Sequence, residues 1–141
     1  MISLVNEIFY FAYKGFDMQE DFLHYVWKSK SFDLNALTTT QGESVSILTI
    51  CSHNDNAGPD FLEAKVKIGG ITWSGSVEIH LKSSMWHQHQ HTNDPAYENV
   101  VLHVVWEHDR EILHPDGQMI PCLQLKGLVD PSLIQRYETL V

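Results

Sequence analysis

Only two cysteines occur in the chain, too few for a disulfide framework. Cys51 lies in "LTICS" and Cys122 in "IPCLQL", both apolar runs where a thiol acts as a small hydrophobe. Reduced, structural thiols and a cytoplasmic setting are the expectation. No apolar run is long enough to span a bilayer, so no membrane role is expected. The opening "MISLVNEIFYFAYKGF" has neither the basic start nor the small-residue cleavage site of a signal peptide. Positive charge is also scarce. Nine Lys and Arg stand against eighteen Asp and Glu, a formal net charge of −9. A wholly acidic surface does not grip a phosphate backbone by bulk electrostatics, so a nucleic-acid partner would need a metal or a local basic strip. Internal repeats and low-complexity segments are lacking, which excludes solenoids and arrays.

What is present is an ordinary globular composition, 43% hydrophobic and 19% charged over 141 residues, enough for one domain with a real core. The pattern divides into an N-terminal extension at 1–17, an α/β domain at 18–129, and the start of a further helix, expected to be truncated, at 130–141. In "DMQEDFLHYVWKSKSF" Phe22, Tyr25 and Val26 recur at helical spacing behind acids in the first turn. "SVSILTIC" (44–51) reads as a short strand. "DFLEAKVKI" (60–68) alternates, with Leu62, Ala64, Val66 and Ile68 on one face. Gly69-Gly70 predicts a tight hairpin. "ITWSGSVEIHLK" (71–82) alternates again, setting Trp73, Val77, Ile79 and Leu81 against Glu78, His80 and Lys82. Asp94-Pro95 predicts a capped helical turn, and "VVLHVVW" (100–106) a strand buried on both faces. "EILHPDGQMIPCLQL" predicts a hairpin around Pro115-Asp116-Gly117, and Asp130-Pro131 a helix start. The expected fold is α/β (α+β): a single mixed sheet flanked by helices.

Two groups of residues could carry chemistry. Asp60 opens one strand and Glu78 lies on the next, seventeen residues intervening. If the strands pair through the hairpin, both carboxylates reach one end of the sheet and could bind a hard cation, Mg²⁺ or Mn²⁺. His80 and Lys82 follow on the same face, where a donor or cation can orient water or offset developing charge. The second group is "HQHQH". His87, His89 and His91 share one face if the backbone is extended, and could converge on a metal. Against that stands a plain polar loop. His103, within an apolar strand, is expected to be a hydrogen-bonded core residue. Trp86 is expected to pack in the core.

Asp60 after a proline, a hairpin, then Glu-x-His-x-Lys on the next strand resembles the PD-(D/E)XK nuclease superfamily, whose core is a helix, three strands, a helix and a further strand. The resemblance implies Asp60 and Glu78 as metal carboxylates, His80 where a lysine is usual, Lys82 as a substitute charge and Glu20 as an added acid on the first helix. "NAGPDF", "GSVEIHLKSS", "WHQHQH" and "AYENVVLHVVWEHD" also resemble the opening portion of a longer, uncharacterised bacterial family. Met85 stands where that pattern implies an aspartate. The uncharacterised family implies no established activity; the nuclease resemblance implies a metal-dependent nuclease or phosphodiesterase acting on nucleic acid. The alternatives are a binding module with a degenerate site, and a cupin-like metal protein built on His87, His89 and His91.

Overall fold

A computed structural model describes residues 18–50, 58–88 and 94–140. Helix α1 (Glu20–Ser29) opens the described chain. Glu20 and Asp21 in its first turn and Lys28 in its last complement the helix dipole. It ends in a left-handed residue, Lys30, with Lys30 N–H donating to Trp27 O and Ser31 N–H to Val26 O. Its buried stripe is Phe22, Leu23, Val26 and Trp27. Tyr25, expected on that stripe, is exposed instead.

Strands β1 (Val45–Thr49), β2 (Phe61–Ile68) and β3 (Ile71–Lys82) form an antiparallel meander. Gly69 and Gly70 both take positive φ at the β2–β3 turn, the two-residue geometry that matches the twist of the strands. From β3 the chain crosses over through a short helix α2 (Met85–Gln88) and a 3₁₀ turn (Pro95–Tyr97). The Asp94 side chain caps that turn by accepting from Ala96 N. Strand β4 (Val100–Glu107) then pairs parallel to β3, and β5 (Cys122–Gln124) parallel to β4. The five strands lie in chain order in a single mixed sheet, an α+β fold. The expected 111–125 hairpin shrinks to one bridge, Leu113 to Met119, closed by Gly117 N–H on His114 O. Pro121 then leads into β5 alongside β4, so the second arm is spent on a parallel pairing.

The two faces of the sheet are covered differently. On one, Val77, Ile79, Leu102 and Val104 pack with the α1 stripe and with Ile134 of helix α3 (Pro131–Leu140). On the other, a smaller cluster of Trp86, Tyr97, Val100, Ile112 and Ile120 lies over the strands. Gly75 is required where β3 meets the crossover: an added Cβ would lie 2.4 Å from Asn99 O. Beyond that point β3 runs out from under its cover, and Trp73 is 46% exposed rather than on the core face.

Candidate functional site

The alternation expected along β2 breaks at its start. Phe61 pairs with Val77 but Ala64 with Gly75, so three residue steps on β2 oppose two on β3. That is a β-bulge, and Glu63 inside it has φ of 58°. A left-handed glutamate costs on the order of 1 kcal/mol, strain held beside the candidate site. The bulge brings Phe61 onto the same buried face as Ala64 and Val66. It also sets the preceding residue, Asp60, level with Glu78.

Asp60 is fixed from two directions. Its Oδ2 accepts a 2.7 Å hydrogen bond from Ile79 N of β3. Its Oδ1 lies 3.5 Å from His24 Nε2 of α1. The same imidazole nitrogen lies 3.8 Å from Glu20 Oε1, one helical turn earlier. The ligating atoms of Glu20, His24 and Asp60 all fall within 4.8 Å of one another. The His24 ring packs 5.8 Å from that of Phe61. Burial works against its charged form, but hydrogen bonding to Glu20 and the charges of Asp60, Glu20 and Asp21 outweigh it and raise its pKa.

Glu78 approaches Asp60 across the strands and is only 4% exposed. Burial pushes its carboxyl up to about 10, reinforced by the hydrogen bond it donates to Asp60 and by the charges of Asp60 and Glu20. Behind it, His80 is completely buried, with Nε2 3.7 Å from Glu78 Oε1. His80 Nδ1 and His103 Nε2 are 2.7 Å apart, so one of the two imidazoles donates to the other. His103 stands opposite Glu78 in the β3–β4 register, and its ring lies 5.1 Å from Trp86. Tyr97 packs against Trp86 at 5.7 Å. Burial, then the charges of Glu78, Asp60 and Asp94, push its phenol up to about 12.

The structure therefore brings Asp60, Glu78 and His80 together with Glu20, the helix acid the resemblance implies, and adds His24, His103 and Tyr97. Lys82 is separate: it is exposed at the end of β3, level with Glu107. His87 is exposed on α2, while His89 and His91, like Cys51, lie outside the described residues. His24 was missed in the sequence although "EDFLH" places an acid and a histidine four residues apart on one helix, a readable pairing. Tyr97 had no such signal beyond its place in the capped turn. Just past β4, Asp109 belongs to a latch, held by the Ser83 hydroxyl and by Ser84, while His108 N–H donates to Gln124 Oε1.

These features define a small α+β domain with a cluster of carboxylates and imidazoles at one end of a mixed sheet. The chain belongs to the family described as protein of unknown function, DUF2851, whose model matches residues 20–141. No curated protein matches, and no solved structure matches. Among the described residues, no helix is long and apolar enough to cross a membrane.

Proposed function

We propose that the domain is a divalent-metal-dependent phosphodiesterase, with nucleic acid as the substrate class, centred on Asp60 and Glu78. The observation that carries this reading is the meeting of two carboxyl groups from adjacent strands, one of them buried, beside a helix that adds Glu20 and His24. The donor set fits a divalent cation: three carboxylates and an imidazole, part open to solvent, with the buried member destabilised as a bare anion. The order of elements supports it too, since a helix, three strands, a short helix and a further strand follow the order the PD-(D/E)XK resemblance implies. A bound cation would polarise a phosphoryl oxygen and lower the pKa of a water. Asp60, held by Ile79 N–H, keeps a fixed orientation. His80 acts on Glu78 from behind, as a positioning group braced by His103. Tyr97 keeps its phenolic proton and can donate it to an anionic oxygen.

Calorimetric titration with Mn²⁺ and Mg²⁺, wild type against Asp60→Ala, tests the site. A nuclease assay on DNA and RNA tests the activity. Cleavage should vanish in Glu78→Gln and fall in His80→Ala by about 10²–10³, the usual effect of losing one electrostatic contributor. Cleavage untouched by Glu78→Gln would sink the reading.

A second reading, a binding module with a degenerate site, is favoured by one specific observation. His80 is enclosed against His103, and Lys82 is out at the strand end, so no described lysine stands against the carboxylates. Metal binding without cleavage of any nucleic acid would select it. A cupin-like protein needs two packed sheets, and the described residues form one sheet with helices.

A further inference from the structure

We infer that His24 supplies a nitrogen ligand to the cation, with Glu20 and Asp60, so that the site takes a first-row transition ion such as Mn²⁺ in preference to Mg²⁺. This rests on the metal-centre reading above and names the ion that centre selects.

Three observations lead there. First, the donor atoms are spaced as if around a common point. His24 Nε2 is 3.5 Å from Asp60 Oδ1 and 3.8 Å from Glu20 Oε1. Donors about 2.0–2.2 Å from one ion stand roughly 3–3.5 Å from each other, so each acid need move only slightly relative to His24, and all three donors already lie within 4.8 Å of one another. Second, the donors are held. Glu20 and His24 rise from one face of α1, whose neighbours Phe22, Leu23, Val26 and Trp27 are buried. The His24 ring rests near Phe61, and Asp60 is bonded to Ile79 N through its other oxygen. Secondary contacts of this kind orient ligands before the ion arrives. Third, the cluster is half open: the His24 and Asp60 side chains are each 19% exposed and Glu20 37%, which leaves room for water or a substrate oxygen.

The chemistry then sets the preference. Mg²⁺ is a hard ion that takes oxygen ligands and keeps its waters. Imidazole favours softer first-row cations, and affinity rises along that row toward copper. An all-oxygen centre at Asp60 and Glu78 would show little such discrimination. The competing account of His24 is a simple ion pair with its two acids, with no contact to any ion.

Calorimetry of the full chain with MnCl₂ and with MgCl₂ separates these, using wild type, Asp60→Ala, His24→Ala and the polar His24→Gln. Pulsed electron spin-echo measurements on the Mn²⁺-loaded protein read directly bonded ¹⁴N. Wild type should bind Mn²⁺ about tenfold or more tighter than Mg²⁺, with ¹⁴N modulation. His24→Ala and His24→Gln should both lose about 10–100-fold for Mn²⁺, change little for Mg²⁺, and lack the nitrogen signal. Equal losses for the two ions, or wild-type Mn²⁺ without ¹⁴N modulation, would overturn the nitrogen ligand while leaving the carboxylate centre standing. If Asp60→Ala also fails to weaken binding, or wild type binds neither ion, the metal-centre reading falls with it. Circular dichroism confirms that each variant is folded, and His24→Gln keeps a polar group at the half-buried position if His24→Ala is not.

Discussion

One face of the sheet is built for stability and the other is not. Under α1 and α3, Val77, Ile79, Leu102 and Val104 meet Phe22, Leu23, Val26, Trp27 and Ile134, an apolar layer. Across the same strands, one residue out of phase, the layer holds Glu78, His80 and His103, all buried. Five residues, Trp86, Tyr97, Val100, Ile112 and Ile120, are the buried apolar cluster on that side. Burying a carboxyl and two imidazoles works against folding unless each finds a partner. The buried ionisable groups are gathered on one face of the sheet, and the other is left to apolar packing.

The comparison breaks first under truncation of the apolar face. Trp27→Ala empties a fully buried indole site, and should cost about 3–5 kcal/mol in urea unfolding. On the polar face the sign should reverse. Glu78→Gln keeps the shape and removes the ionisable group. Its folded pKa, about 10, lies above the ordinary value of 4.5. Folding therefore favours the protonated form. The group costs nothing below about pH 4.5, its unfavourable contribution grows as pH rises, and it levels off above about 10. At pH 8 without divalent metal, Glu78→Gln should be more stable than wild type by on the order of 2–4 kcal/mol. Equal stabilities at pH 8 would mean the carboxyl is already compensated, and would erase the contrast between the faces.

Much of this was legible in the sequence, and the failures have physical causes. The Gly69-Gly70 hairpin, the doubly buried β4 and the Asp94-capped turn follow from residue types that act locally. The encounter of Asp60 with Glu78 followed from the hairpin between them. The bulge did not, because Glu63 carries no mark of a left-handed residue and the flanking alternation reads straight through it. Trp73 was assigned to the core because periodicity gives a face but not how far the cover extends. In α1 both Phe22–Tyr25–Val26 and Phe22–Leu23–Val26–Trp27 are helical stripes, and only packing chooses the second. Acid and histidine four apart are common on solvated helices, so His24 became informative only when Asp60 arrived from another element.

A smaller effect tests where the two layers separate. Gly75 lies within β3 beside the end of the crossover, and a methyl there would meet Asn99 O at 2.4 Å and Val101 Cγ1 at 2.6 Å. Backbone atoms do not yield as a flexible side chain would. Gly75→Ala should cost about 1–3 kcal/mol in urea unfolding. Wild-type stability would show that β3 and the crossover adjust more freely than the register between Ser76 and Val100 implies.

The smallest expected effect lies at the far end of β3, and it sharpens the contrast through pH. Asp109 is exposed and Glu78 buried, so their carboxyls shift in opposite directions. What burial Asp109 has opposes its charge, yet hydrogen bonds from Ser84 and Ser83 outweigh that and lower its pKa to about 2. The Ser83 hydroxyl stands 2.9 Å from Asp109 Oδ1, and Ser84 N–H donates to the same oxygen at 2.9 Å. A lowered carboxylate contributes stability above its ordinary value near 3.8, and that contribution drains away as pH falls toward 2. Because the group is exposed, solvent screens it and the gain is under about 1 kcal/mol. Asp109→Asn should be slightly less stable than wild type at pH 7 and converge with it near pH 2. Glu78→Gln, in contrast, should become more stable than wild type as pH rises. Thermal unfolding of both variants from pH 2 to 9 would show the two curves opening in opposite senses. If Asp109→Asn stays below wild type at every pH, the latch acts through shape alone and not through the charge of Asp109.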